Sequence, residues 1–244
     1  MISIALLIPT YNEADNIRIL LHSISENFKL ENGVNLKIFV IDDNSPDGTS
    51  DVVEKISIKE KYDRLEIAVI RRKEKNGLGS AYIDGIKKVL NLDIFDYVLQ
   101  MDADLSHDPM YLKEFFLAAK DSVDLGVGSR YVSGGGVPDW AWHRKFLSKF
   151  GNMYARALLG SGITDYTGGY NLYSTKLLKK INLSQLDSSG YGFLIALKFN
   201  ALKNASKVKQ IPIVFIDRKV GESKMPMNTL VKNLLLVFRL WQTK

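Results

Sequence analysis

The sequence predicts an α/β fold with a mostly parallel central sheet flanked by helices. Three observations lead there. Apolar runs of strand length alternate with segments of helical periodicity, the runs are almost continuously apolar, and each empties into a polar loop. Near-continuous runs are what strands covered by helices on both faces look like.

The first run, Ile4-Ala5-Leu6-Leu7-Ile8, is stopped by Pro9 and followed by a helix from about Ala14 with Ile17, Leu20, Leu21 and Ile24 on one face. Strands follow at residues 37–41, 65–70 and 97–101, separated by helices after Thr49 and from Ser80. Leu112, Phe115, Phe116 and Ala119 mark the next helix. Beyond Arg130 the pattern changes. Ser133-Gly134-Gly135-Gly136-Val137-Pro138 is expected to be a mobile loop, and with Trp140, Trp142, His143, Arg144 and Lys145 it suits a lid or acceptor entrance. A loop from Thr164 to Asn171 leads to a helix around residues 175–181, and Gly190-Tyr191-Gly192-Phe193 opens another. The expected organisation is one large domain over residues 1–225, then an amphipathic helix within 226–244 that carries Leu230, Leu234, Val237, Phe238 and Trp241 among Lys232, Arg239 and Lys244. That helix suits a membrane interface, packing on the domain, or a dimer contact.

Composition narrows the chemistry. The chain has no cysteine, which excludes thiolate ligands and a cysteine nucleophile, and its three histidines make a histidine-rich zinc site a poor expectation. The net charge of +6 is concentrated at the end, from Arg218 to Lys244, which favours an anionic partner. Nucleic acid is not expected, because the acidic loops would repel its phosphates. No apolar stretch is long enough for a membrane span, and the N-terminus lacks the basic lead of a signal peptide, so a cytoplasmic protein is expected.

The candidate site lies at the strand ends. Val98-Leu99-Gln100-Met101-Asp102-Ala103-Asp104 delivers two carboxylates, two residues apart, to the end of a strand. Such a pair suits Mg²⁺ or Mn²⁺ carrying a diphosphate, whose oxygens complete the coordination. Pro9-Thr10-Tyr11-Asn12-Glu13 and Asp42-Asp43-Asn44-Ser45-Pro46-Asp47-Gly48-Thr49 end two other strands. Ligands of open α/β sheets bind outside the carboxyl ends of strands, so the three loops describe one site. Adjacent Asp42 and Asp43 are expected to need a ligand or cation to relieve their repulsion. Asp47-Gly48-Thr49 also reads as a turn and helix cap.

As an ordered set, these segments resemble the dolichol-phosphate (polyprenyl-phosphate) mannose synthases, inverting glycosyltransferases of family 2 with the Rossmann-like GT-A fold. Gly77-Leu78-Gly79, Asp102-Ala103-Asp104-Leu105-Ser106-His107-Asp108-Pro109, Gly128-Ser129-Arg130-Tyr131 and Arg218 with Gly221, Ser223 and Lys224 complete the match over roughly residues 3–225. The resemblance implies transfer of mannose from GDP-mannose to a polyprenyl or dolichyl phosphate. It implies donor contacts at Pro9, Tyr11, Glu13, Val40, Asp42, Asp102, Ala103, Asp104, Arg130, Arg218 and Lys224. Asp102 and Asp104, with Ser106 beside them, would hold the metal; Asp102, Asp104 and Arg130 are the catalytic candidates, and Arg130 and Arg144 the acceptor-phosphate candidates. It further implies a peripheral enzyme on the cytoplasmic face of a membrane, with a membrane-anchoring partner subunit as one arrangement. A UDP-sugar donor, a non-lipid acceptor and a noncatalytic nucleotide-sugar-binding role are the other readings. Two positions depart from the pattern: members often carry arginine in the segment occupied by Tyr170-Asn171-Leu172, and an acidic residue at Ala196.

Overall fold

The computed structural model describes residues 1–28, 33–59, 64–186, 190, 192–217 and 227–243. In chain order its elements are β1 (Ile2–Thr10), α1 (Ala14–Phe28), β2 (Val34–Asp42), α2 (Thr49–Lys59), β3 (Leu65–Arg71), α3 (Leu78–Leu92), β4 (Tyr97–Gln100), α4 (Leu112–Lys120), β5 (Leu125–Ser129), α5 (Trp142–Leu159), β6 (Asn171–Ser174), α6 (Thr175–Leu178), α7 (Gly192–Asn204), β7 (Val208–Pro212) and α8 (Met227–Gln242). The seven strands form one sheet in the order β3-β2-β1-β4-β6-β5-β7. β3, β2, β1 and β4 are parallel, as are β5 and β7, while β6 runs antiparallel to β4 and β5.

β1, β2 and β4 bury both faces, as their apolar runs predict. From β1, Ile4, Leu6 and Ile8 join Ile17, Leu20 and Ile24 of α1 and Phe115 and Phe116 of α4. Ala5 and Leu7 point the other way, into a second core with Ile83 and Ile86 of α3, Phe193 and Leu197 of α7 and Val237 of α8. Gly85 lets α3 lie close to the sheet, because a Cβ there would collide with the end of Ile41.

Sequence reasoning finds β1 to β4 but not β5, β6 or β7. In β5, Leu-Gly-Val-Gly-Ser reads as a loop; its glycines exist because β6 passes very near. A Cβ on Gly126 would stand 3.2 Å from the Leu172 Cβ, and one on Gly128 2.7 Å from the Tyr170 carbonyl. β7 is an edge strand of mixed polarity, whose burial shows no clean alternation. The helix expected at 175–181 is shorter, ending at Leu178.

The glycine segment after Tyr131 is pinned rather than loose. Gly136 N–H donates to the Ile213 carbonyl at 3.0 Å, and Phe215 N–H to the Gly136 carbonyl at 2.9 Å. One face of the tail helix α8 packs on the domain: Leu236 and Val237 are buried, the Tyr154 hydroxyl donates to the Leu234 carbonyl at 3.4 Å, and Lys203 donates to the Thr243 carbonyl at 3.0 Å. Among the described residues, no helix is long and apolar enough to cross a membrane.

Candidate active site

Reversal of β6 places the sites's parts on one edge of the sheet. Gln100, the last residue of β4, pairs with Asn171, the first of β6, so the loop 164–170 lies beside Asp102 and Asp104. The β5 end at Ser129 opens onto the same edge through its pairing with β6.

The first two loops are stitched together. Asn12 N–H donates to the Ser45 hydroxyl at 2.9 Å, Glu13 N–H to the Thr49 hydroxyl at 3.1 Å, and Ala14 N–H to Asp47 Oδ2 at 3.0 Å. Asn12 and Asn44 adopt positive φ of 58° and 59°, which asparagine tolerates well. Burial would raise the Asp47 pKa, but bonds from Thr49 and the Ala14 amide outweigh it and leave the carboxyl below its usual range. Tyr11 is half-buried under Lys75, whose ammonium lies 3.5 Å from the ring centroid.

Here the structure corrects the repulsion argument. Asp42 is buried and accepts bonds from Thr10 (3.0 Å), the Ser45 amide (3.1 Å), the Ser45 hydroxyl (2.5 Å) and Ser50 (2.7 Å), which fill its acceptor capacity. Asp43 pairs with Arg72 and accepts from the Gly77 amide at 2.7 Å at the start of α3. Both carboxylates are satisfied internally, and Asp42 organises its loop instead of reaching outward. The side chains of Val40 and Ala103, donor contacts by the resemblance, lie in the apolar core at 0% and 4% exposure.

Asp102 keeps 24% of its side chain accessible, while Asp104 is buried at 7%. Leu105 between Asp104 and Ser106 has a φ of 65°, strained for a bulky residue. The turn is held because Ser106 donates to Asp104 Oδ1 through its amide at 3.1 Å and through its hydroxyl. Ser106, placed beside the metal pair by the resemblance, is fully buried and supports Asp104 through these two bonds. His107 has no role in the sequence reading. Its Nδ1 accepts the Asp102 amide at 3.0 Å, which leaves Nε2 to carry the proton of the neutral ring. Burial lowers its pKa against the pull of Asp102 and Asp104.

Arg130 is buried in a two-pronged pair with Asp165: Nε to Oδ2 at 2.7 Å and an NH₂ to Oδ1 at 2.8 Å. Burial of each partner opposes its charge, but the pairing prevails; it raises the Arg130 pKa and holds Asp165 well below the carboxylate range. Asp165 also accepts the Gly168 amide at 2.9 Å. Asp165 was legible only as a polar letter in a loop; its partner is 35 residues away in sequence. Gly169 packs against the acidic pair, a Cβ there standing 3.1 Å from both Asp102 oxygens.

A cavity of about 170 Å³ opens between α5, α7 and α8. Its lining includes the charged Asp102, Arg130 and Arg144 and the mainly apolar Leu147, Tyr154, Leu194, Ile195, Leu234 and Val237. Arg144 lies 3.9 Å over the Trp140 ring and pairs with Asp217 at 2.9 Å. Trp140 is buried, and among the described residues its indole N–H has no acceptor. Arg218 and Lys224, assigned to the donor phosphates from sequence, lie outside the described residues.

A sheet of this order, with an Asp-x-Asp following its fourth strand beside the buried Arg130–Asp165 pair, is that of the GT-A class of glycosyltransferases. The chain belongs to glycosyl transferase family 2, whose profile matches residues 5–182. It is 40% identical over 219 residues to the polyprenol monophosphomannose synthase of Mycolicibacterium smegmatis, covering 90% of this chain and 79% of that one. It is 36% identical to the undecaprenyl-phosphate mannosyltransferase of Micrococcus luteus, covering 90% and 86%. Among solved structures, glucosyl-3-phosphoglycerate synthase from Mycobacterium tuberculosis with Mn²⁺, UDP-glucose and phosphoglyceric acid superposes with a TM-score of 0.66 at 18% identity, over 99% of this chain and 79% of that one. Mannosyl-3-phosphoglycerate synthase from Rubrobacter xylanophilus gives 0.61 at 17%, over 98% and 72%. These two establish the likeness of fold.

Proposed function

We propose that the chain transfers mannose from GDP-mannose to the phosphate of a polyprenyl or dolichyl monophosphate, with inversion at the anomeric carbon. The observation that carries this reading is the cavity, whose lining combines two arginines and Asp102 with aliphatic side chains from three helices. That combination matches a phosphate joined to a long apolar chain. The two curated relatives, by their names, act on polyprenol or undecaprenyl phosphate with mannose as the sugar.

Pro9, Tyr11 and Glu13 flank the base and ribose in this reading, on a loop whose shape Asp42 and Asp47 maintain. Asp102 and Asp104 are hard oxygen donors suited to Mg²⁺ or Mn²⁺, with substrate phosphates filling the remaining positions. Among the described residues no cluster of three or more histidine or acidic side chains could hold a metal alone, which agrees with a cation shared with the diphosphate. When bound, the cation would neutralise charge developing on the diphosphate. Arg130 presents fixed positive charge beside Asp102, and Arg144 and the indole N–H of Trp140 offer donors to acceptor phosphate oxygens. An acceptor phosphate oxygen forms the new bond to the anomeric carbon as the bond to the GDP oxygen breaks, and that electron pair leaves with GDP. A phosphate monoester is mostly dianionic at pH 7, its second pKa being about 6, so no general base is needed. Ala196, where members often carry a carboxylate, is then compatible with activity.

The decisive assay follows labelled sugar into an organic-extractable product from GDP-mannose, UDP-glucose and UDP-N-acetylglucosamine, with polyprenyl phosphate and Mg²⁺ or Mn²⁺. Metal-dependent incorporation from GDP-mannose alone is expected. Incorporation only from a UDP-sugar would replace the donor, and donor binding without transfer to any lipid would overturn the reading.

The cavity helices also support docking on the cytoplasmic face of a membrane. Trp142, Phe146, Phe150 and Met153 follow one stripe of α5 and are 80%, 68%, 45% and 60% exposed; Val231, Leu235, Phe238 and Trp241 are exposed on α8. Lys149, Lys232 and Arg239 lie exposed among them, suiting anionic headgroups. Because α8 walls the cavity, deleting it would damage the site, whereas point changes isolate the surface. Trp142→Ser with Phe146→Ser is expected to weaken binding to anionic phospholipid vesicles by about tenfold or more, with nucleotide-sugar affinity unchanged. Unaltered vesicle binding would remove α5 from the docking surface.

A further inference from the structure

One buried cation has no part in the chemistry described so far. Lys198 on α7 is fully enclosed, and its ammonium donates to the Gly168 carbonyl at 2.5 Å and to Asn171 Oδ1 at 3.3 Å. Both acceptors are neutral. Burying an ammonium is costly, so an apolar side chain would be the cheaper filling for this place if packing were its whole purpose.

The bonds of Lys198 end on the strap that closes the catalytic edge. Gly168 is held from one side by Lys198 and from the other by its amide, which donates to Asp165, the carboxylate that grips Arg130. The next residue, Gly169, abuts both oxygens of Asp102. Gly168 and Gly169 also line the cavity, together with Leu194 and Ile195 from the turn of α7 before Lys198.

We propose that Lys198 is a positioning residue for glycosyl transfer: from behind the cavity lining it seats the Thr167-Gly168-Gly169 strap, and through the strap it sets Asp102 and Arg130. This rests on the glycosyl-transfer reading of the site. Lys198 touches no reacting atom; it acts through Gly168 and Asn171. The same asparagine that departs from the family pattern is therefore one of its two partners.

The position also carries a pH signature. Burial lowers the Lys198 pKa to about 7, opposed by the charges of Asp165 and Asp102 and assisted by Arg130. His107, which feels the Lys198 charge, is itself pushed toward neutrality by burial. As pH rises through about 7 the ammonium loses its proton, and its bonds to the strap lose their charge. The wild-type kcat should therefore fall on that alkaline side. The folded value lies below the unfolded one of about 10.4, so between those two values the unfolded chain binds more protons and this group makes wild-type stability rise with pH.

The test compares wild type with Lys198→Met and Lys198→Gln in the transfer assay from pH 6 to 9, with melting temperatures over the same range. Lys198→Met should remain folded, lower kcat roughly tenfold to a hundredfold with donor KM within about twofold, and lose the alkaline limb. Lys198→Gln, a neutral donor to Gly168, should recover kcat only to the level of the deprotonated wild type, between Lys198→Met and the ammonium form, while also lacking that limb. The melting temperature of wild type should gain on both variants as pH rises above 7. If wild type transfers no sugar, the functional reading falls and takes this proposal with it. If wild type transfers and Lys198→Met keeps its kcat and limb, the Lys198 proposal alone is overturned. Should the Met variant fail to fold, retention of the limb by Lys198→Gln overturns it.

Discussion

Asp104→Ala is expected to lower kcat/KM for transfer by about 10³-fold and to abolish its response to Mg²⁺ or Mn²⁺, the scale of losing a principal electrostatic stabiliser. The residue stands on a turn built to present it. Leu105 occupies a left-handed conformation, and both the amide and the hydroxyl of Ser106 are spent on Asp104 Oδ1. The alanine variant also strands those two donors, at a stability cost of about 1–3 kcal/mol. Asp104→Asn keeps an acceptor oxygen for Ser106, so it separates the two effects: its melting temperature should stay near wild type while transfer remains lost. Metal titrations of initial rate, paired with thermal melts, provide the check. A variant that keeps both its rate and its metal requirement would show that Asp104 is not part of the site.

Asp165→Asn is expected to be the most destabilising conservative change near the cavity. It leaves the buried Arg130 guanidinium without its counter-charge, and breaking a buried pair in this way costs about 3–5 kcal/mol. For a chain of this size that corresponds to a fall in melting temperature on the order of 10 °C. Activity should fall with it, because the amide keeps one acceptor oxygen but turns an NH₂ donor toward the guanidinium, so one of the two prongs that fix Arg130 is lost. The pH dependence supplies a second signature. Asp165 has a folded pKa below its ordinary value, burial opposing the shift and Arg130 overcoming it. Its contribution is therefore complete above the unfolded pKa of about 3.9 and is lost as pH falls toward the folded value. Wild type should lose melting temperature in acid more steeply than Asp165→Asn, so the two curves converge below pH 4. Curves that stay parallel down to pH 3 would mean that the pair contributes nothing that titrates.

The chemistry at the ends of β1, β2 and β4 was legible because it is written locally. Apolar runs of strand length, a proline or aspartate at each end, and helical periodicity between them place Tyr11, Asp102 and Asp104 on one edge without knowledge of any long-range contact. Charge was harder to read. Adjacent Asp42 and Asp43 were expected to need a ligand or cation to relieve their repulsion, yet hydroxyls, amides and Arg72 satisfy them from within the protein. Ser106 was read only by its place in the motif; its burial and its bonds to Asp104 depend on the folded turn.

By itself the sequence determined the parallel half of the sheet, the order of the polar loops and the presence of an acidic pair, since each depends on residues within a few positions of one another. Tertiary structure decided the other half. The glycines of β5 become strand residues only when β6 lies against them, and Arg130 becomes a buried cation only when Asp165 arrives from 35 residues away. Lys198 gains its place, and the cavity its apolar walls, only when α5, α7 and α8 close over the same edge. Side-chain burial and ion pairing are properties of who the neighbours are, and for these residues the neighbours are distant in the chain.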